Sequence, residues 1–555
     1  MYASGTETDV PRKAIYLAAL AVFAAAFLIY LPKLANPFTF DDRLFIQTDP
    51  NLRDWSAALG EFGRDQASLY RPLRSLVLAG LIRLSGVENP VPFHLTGMLL
   101  HAVVSACVVL IVWLLTGRLA AALLAGLLFA WHPVHSDRVA FITAGFDLLG
   151  PAFGYAAWAL ALAYDRGGRR IHLWATGLLL AIGCFGGEEA VMTWPLVGGS
   201  LFLFRGDRRR RIVLLAVLGA AVVFYLAART MVLGSIGRTP DYAAGSLGNS
   251  VLSMAVIFWR YIGLTFWPIG LSPAYGPTVY THLNLASLAG LLGIAGLPVL
   301  AIVGRKRSPG LALGIGWFLI ALFPYSNLLP ADTLMDERYL YSALGGFAAA
   351  AGLALAWMGG QRKGAWLVVA CLLAVYGANT VARCRVWERP LTLWTQAVTR
   401  EPNSFLANLN AAYHLLAAGE TAAGERYARR AHELNPRRTE PLLQLADPAF
   451  ARGDDAAGVN LLEQAVAAEP QSVAALSALA QAYVKTGRLP EAARLAEQAL
   501  AGDRRDTRAH YVLAYLAVTA GRCDLAAPHW QAVLSAVPQA REYEAARQLQ
   551  EHCSP

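Results

Sequence analysis

The chain has 555 residues, 56% of them hydrophobic and only 15% charged, a balance that excludes an ordinary soluble domain. The formal net charge of +9 does not point to nucleic acid, because the basic residues gather in short loops between apolar runs, a mark of membrane topology. No C-x-x-C pair occurs among the six cysteines, which excludes thioredoxin-like chemistry and zinc sites of that spacing.

The first apolar run, Ala14 to Leu34, follows Arg12-Lys13. It is too long for a signal-peptide core and reads as a retained span. It delivers the stretch NPFTFDDRLF (36–45), with adjacent carboxylates Asp41 and Asp42, to the far side of the membrane. Further spans are predicted near 93–115, 119–135, 148–164, 171–187, 191–205, 212–230, 284–304, 309–327, 339–358 and 365–382. Basic clusters at Arg12-Lys13, Arg166/Arg169/Arg170, 205–211, 305–307 and Arg362-Lys363 then all fall on the cytoplasmic side. That holds only if 251–271 does not cross. Arg260 in its middle and Trp267-Pro268 near its end suit a helix lying in the outer interface or re-entering.

Beyond about Arg385 no run is long enough to span, and a period takes over. Pro402, Pro436, Pro470 and Pro538 stand 34, 34 and 68 residues apart, and Ala412, Ala446, Ala480 and Ala514 keep the same step, as do Ala431, Ala465 and Ala499. Thirty-four is the tetratricopeptide period. Four repeats are predicted between about 403 and 537, with a capping helix near 539–551. Stacked helical pairs present a concave groove suited to an extended peptide or partner helix. Cys523 and Cys553 both lie in this tail and could pair if it is extracytoplasmic. The chain therefore reads as all-α, a polytopic membrane helix bundle of about 11 spans over 1–384 followed by a soluble repeat solenoid over 385–555.

On this topology one face collects Asp41, Asp42, Tyr70, Arg71, His132, His135, Asp137, Asp147, Glu188, Glu189 and the stretch DTLMDERYLY (332–341). Ionisable groups at a membrane are costly, so their convergence suggests a site. A carboxylate at the bilayer edge can act as general base on a hydroxyl. Adjacent carboxylates raise one another's pKa, which makes a better base. Arginine grips a phosphate. The combination suggests group transfer from a lipid phosphate to an acceptor outside the membrane. His-x-x-His at 132–135 is a poor metal pair, because Pro133 breaks the helical register.

The stretches FDDRLFIQTDPNL, YRPLRSLV (70–77), FHLTGMLLHAVV (93–104), HPVHSDRVAFITAGFDLL (132–149), NLLPADTLMDERYLYSALG (327–345) and VWERPLTLW (386–394) resemble, in that order, the transmembrane and tetratricopeptide-repeat O-mannosyltransferases of the GT-C glycosyltransferase class. The resemblance covers nearly the whole chain. It implies inverting transfer from a polyprenyl-phosphate sugar to Ser or Thr hydroxyls of a protein, without a divalent metal or other cofactor. Asp41 and Asp42 match the catalytic acidic pair. Arg71, Arg338, Tyr70 and Tyr339 are the expected phosphate grip, with His132, His135, Asp147, Glu188, Glu189 and Glu337 in support. The chain departs from the family where Phe146 replaces an arginine before Asp147, and where Glu188-Glu189 stands for Lys-Glu, which leaves the sugar open. Its Ala/Arg/Gly-rich composition and short loops point to a bacterial inner-membrane protein, with the repeats on the periplasmic side. Expected partners are the lipid donor, a protein or peptide acceptor in the repeat groove and the bilayer, with no nucleic acid. The alternatives are a lipid-linked oligosaccharide ligase and a non-enzymatic membrane scaffold displaying the repeats.

Overall fold

A computed structural model describes residues 11–39, 42–64, 69–204, 206–234, 242–331, 333–362, 364–535 and 542–553. Asp41, Arg205, Asp332, Lys363 and Pro538, invoked above, lie outside the described residues. Those described are all-α, with no strand among them. They divide into two compact units, one running to Pro273 and resuming at Pro277–Pro390, the other made of Ala274–Gly276 and Leu391 onward.

In the first unit seven helices are long and apolar enough to cross a membrane: Val91–Thr116, Ile142–Gly167, Arg208–Leu233, Leu247–Phe266, Leu285–Gly304, Ala343–Gln361 and Ala365–Trp387. Shorter apolar helices are Leu119–Ala130, Arg170–Gly186 and Pro309–Tyr325, and Arg12–Leu28 opens the bundle. Leu247–Phe266, expected from the sequence to stay in the interface, thus has the length and composition of a span. Apolar tails give helices no hydrophobic reason to associate, so they pack through small residues that let backbones approach. A Cβ on Gly346 would lie 2.5 Å from the Gly314 carbonyl oxygen, and one on Gly352 would lie 2.7 Å from that of Ala121. The central helix Val91–Thr116 carries His101, whose Nε2–H donates to the Ala130 carbonyl (3.1 Å) and whose Nδ1 accepts from Tyr341 (2.9 Å). A buried polar side chain in an apolar helix is thereby satisfied.

The second unit is a run of helical pairs: Phe405–Ala417 with Thr421–Leu434, Glu440–Ala451 with Asp455–Ala468, Val473–Lys485 with Leu489–Gly502, and Thr507–Thr519 with Cys523–Ser535. Tyr543–Cys553 follows. Both alanine ladders are buried to within 1% exposure, where paired helices meet too closely for a larger side chain. The turn inside each pair uses Gly419, Gly453, Gly487 or Gly521 at φ between +70° and +82°, again 34 residues apart. Only glycine adopts that conformation without steric cost. Cys523 and Cys553 form a disulfide with Cα atoms 5.7 Å apart. A concave cavity of about 880 Å³ runs along the repeats, lined among others by Tyr413, Phe450, Lys485, Arg508, Tyr511 and Tyr515.

Candidate functional site

Pro32 and Pro37 prevent the first helix from continuing, and the chain beyond it is pinned at successive points. Lys33, fully buried, donates its Nζ to the Val139 carbonyl. The Asn36 side-chain amide donates to the Cys384 carbonyl (3.2 Å), and the Asn36 carbonyl accepts from His94 Nε2 (3.0 Å). Asp42 is buried and accepts from the Thr39 amide (3.0 Å), the Thr143 amide (2.8 Å) and the Thr143 hydroxyl (2.7 Å). Its two oxygens are thus held from both sides, by its own turn and by a residue 101 positions away.

Pro72 starts the helix Pro72–Ser85 at a position that needs no amide hydrogen, and this sets Arg71 and Arg74 one turn apart beside Asp147. Arg71 reaches Asp147 (2.5 Å) and Glu188 (2.8 Å), and Arg74 reaches Asp147 (3.3 Å). Arg138 joins Asp147 (3.7 Å) to Glu189 (2.6 Å), and Arg229 meets Glu188 (3.1 Å). The Glu188-Glu189 turn comes this close because Gly150 has no side chain: a Cβ there would lie 2.8 Å from the Gly187 carbonyl oxygen.

A second group adjoins it. Arg338 pairs with Asp336 (2.6 Å) and Asp137 (3.6 Å), and its carbonyl accepts from Arg138 Nε (3.3 Å). Arg383 meets Glu337 at 3.5 Å. Tyr339 stacks on Tyr325 with centroids 4.1 Å apart, its hydroxyl 2.7 Å from that of Thr333.

Burial opposes the charge on Arg71, yet Asp147 and Glu188 hold its pKa above the usual arginine value. Burial likewise opposes Arg338, which Asp336 and Asp137 raise well above that range. Burial lifts the Asp137 carboxyl to about 6, and neither of its oxygens accepts a hydrogen bond. Both His135 ring nitrogens are buried without a hydrogen-bond partner. Buried polar atoms left open in this number are what an ordered water or a ligand satisfies.

Of the residues singled out from the sequence, Arg71, Asp147, Glu188 and Glu189 share one network, and Glu337, Arg338 and Tyr339 lie on the adjoining loop. His132 faces away, its Nε2–H donating to the Thr265 carbonyl (3.0 Å). Tyr70 is packed against Phe185 and Tyr225, with its hydroxyl donating to the Phe62 carbonyl (2.9 Å). Asp41 is outside the described residues. Sequence reasoning passed over Arg74, Arg138, Arg229, Arg383 and Thr143. Arg74 follows Arg71 by three, and the two share a helix face, but the others come from distant segments. Among the described residues no three His, Cys, Asp or Glu side chains converge in a metal-holding group.

An all-α membrane protein with a buried arginine–carboxylate site and a tetratricopeptide unit is the class that this architecture defines; the tetratricopeptide-repeat family model itself matches residues 449–516. Across relatives from human, mouse, fly, worm and frog, the chain matches at the level of family the TMTC-type protein O-mannosyl-transferases. The human protein O-mannosyl-transferase TMTC4 is 26% identical over 489 residues, covering 74% of this chain and 66% of its own length. The Drosophila melanogaster Tmtc2 is 27% identical over 267 residues, covering 44% of this chain and 28% of its own. The chain therefore spans slightly less than two thirds of the human relative.

Proposed function

We propose that the chain is an inverting GT-C glycosyltransferase that moves a sugar from a polyprenyl-phosphate donor to Ser or Thr hydroxyls of an extracytoplasmic protein. The observation that carries this reading is the buried cluster of Arg71, Arg138 and Arg338 with their carboxylates, in the same unit as the acidic loop that Asp42 anchors. The printed names of the relatives, protein O-mannosyl-transferases, agree with it.

In this reading Asp41 is the general base and Asp42 a positioning residue, because Asp42 already accepts three strong hydrogen bonds and has little capacity left for an acceptor proton. The acceptor hydroxyl oxygen attacks the anomeric carbon, and its proton passes to Asp41. The bond from that carbon to the phosphate oxygen breaks, and its electron pair leaves with the polyprenyl phosphate. Arg71 and Arg338 exchange a carboxylate partner for the phosphate and stabilise the charge that develops there. Attack opposite the leaving group inverts the anomeric centre.

The reading places the 1–384 domain in a bacterial inner membrane and the 385–555 repeats outside it. Two features support that orientation. The clusters at Arg12-Lys13, Arg166–Arg170, Arg208–Arg211 and 305–307 stand at the helix ends remote from the site residues, where Arg211 clasps Asp165 through two contacts of 2.9 and 2.8 Å. The Cys523–Cys553 pair suits an oxidising compartment. The repeat groove would then receive the acceptor polypeptide.

The test is transfer of labelled sugar from polyprenyl-phosphate donors to secreted proteins of the source cell, with and without chelator. Wild type is expected to label protein in chelator, Asp41→Asn to lose at least about a hundredfold, and Arg338→Gln to fail through weakened donor binding. Equal labelling by wild type and Asp41→Asn would overturn the base assignment, and labelling by neither would favour a scaffold.

A further inference from the structure

Leu247–Phe266 has the length and composition of a membrane span, yet its contacts do not progress from one side of the bundle to the other. Near its middle, the Ala255 carbonyl oxygen would lie 2.4 Å from a Cβ on Gly290, the sixth residue of Leu285–Gly304. The Met254 sulfur accepts from the Asn327 amide (3.5 Å), just past the end of Pro309–Tyr325. Phe258 meets Phe318, well inside that helix, with centroids 6.0 Å apart. One turn on, the Tyr261 hydroxyl accepts from the Asp336 amide (3.0 Å). The Thr265 carbonyl accepts from His132, two residues beyond Leu119–Ala130. Phe266 meets Phe347 (5.2 Å), the fifth residue of Ala343–Gln361.

Phe318 apart, these partners stand at or near one end of the bundle, the end that carries Asp336, Arg338 and His132. Residues 254 to 266 rise about 18 Å along a helix axis, more than half the ~30 Å thickness of a hydrocarbon core. A spanning helix would have left that level. The chain also returns to it: after Trp267 it doubles back, and the Tyr280 amide donates to Ser253 (2.9 Å) before Leu285 opens the next helix.

We infer that Leu247–Phe266 lies in the plane of the membrane at the end of the bundle that holds the site, with its outward face seated on the lipids of that leaflet. The two faces fit. Ser250, Ser253, Met254, Ile257, Tyr261, Leu264 and Thr265 are buried at helical spacing, while Arg260 is exposed with Trp267 beyond the helix end, and Trp259 between the two faces donates its indole N–H to the Gly290 carbonyl (3.3 Å). Tryptophan beside arginine on an apolar face is the composition of the headgroup boundary, not of the bilayer centre. The inward face bears on the site through the Asp336 amide, so lipid packing at this helix reaches the loop that carries Arg338. The inference stands without the catalytic reading, because its test does not measure activity.

The test is labelling of single introduced cysteines in the full chain by a membrane-impermeant maleimide, in a Cys371→Ser background, on sealed vesicles of known orientation. Leu247→Cys and Ile269→Cys flank the helix and are exposed; Lys306→Cys reports the opposite end. The expected result is labelling of the first two from one side and of Lys306→Cys only from the other. Labelling of Leu247→Cys and Ile269→Cys from opposite sides would make the helix a span and overturn the inference. Labelling of neither would seat both ends in the hydrocarbon core and overturn it equally. If a variant does not accumulate, quenching of Trp259 by lipids brominated near the headgroup rather than at the acyl terminus, read as the difference from Trp259→Phe, gives the same decision.

Discussion

Asp42 commits its carboxylate to Thr39 and Thr143. Removing the Thr143 hydroxyl takes away one charge-assisted hydrogen bond, worth about 1.5–3 kcal/mol. If the proposed transfer activity holds, Thr143→Val is expected to slow it roughly tenfold to a hundredfold, with Thr143→Ser near wild type; a turnover assay on the three proteins checks it. Asp137 offers a prediction in stability. Burial lifts its pKa from an ordinary 3.8 to about 6, with Arg338 and Arg383 opposing and Asp336 adding. A raised folded-state pKa contributes stability in full below the unfolded value, and the contribution disappears as pH rises from about 4 through about 6. Asp137→Asn cannot titrate, so its stability relative to wild type should improve as pH rises through that window. Thermal unfolding in detergent at pH 4.5 and 7.5 measures the difference, and a constant gap between the two proteins would refute it. Little of this was readable in advance. The acidic pair, Arg71 and the Glu-Arg of the late loop stand out in the sequence because polar residues beside apolar runs are conspicuous. Thr143, Arg138 and Arg229 do not, since their partners lie 101, 51 and 41 positions away and only the packing of helices makes them neighbours.

Among the elements, the repeat helices were the most legible, because a 34-residue period forces the same alanine to the same close contact in each pair. The glycine ladder at 419, 453, 487 and 521 has equal regularity, and its meaning becomes plain only with φ near +80°. Gly487→Ala is expected to destabilise the repeat unit by about 1 kcal/mol, since open space surrounds the position and only backbone strain acts; chemical denaturation of the full chain, followed by a probe in the repeats, would register the loss. Leu247–Phe266 shows the opposite case. Hydropathy alone marks it as a span, and loop charges alone argue against one. The conflict arises because an interfacial helix and a crossing helix bury comparable apolar faces. They differ in where their partners stand, which composition does not encode.

For the whole molecule, the Cys523–Cys553 bond closes a stretch of 30 residues and ties the last helix to the fourth pair. Replacing both cysteines by serine is expected to lower the stability of the repeat unit by about 3 kcal/mol and to free residues 543–553 for proteolysis, while the membrane unit keeps its melting temperature. Equal protease resistance in the two forms would show that packing alone holds the final helix. The polar end of the bundle behaves as a whole in another respect. Arg71, Arg74, Arg138, Arg229, Arg338 and Arg383 each meet at least one acid there. Under the proposed function, a lipid phosphate entering such a site would have to displace a carboxylate, and the stranded acid would regain balance by drawing a proton from the medium. Donor capture in the proposed enzyme is then proton-coupled, so the acidity of the compartment would help set how much lipid carrier the enzyme holds loaded.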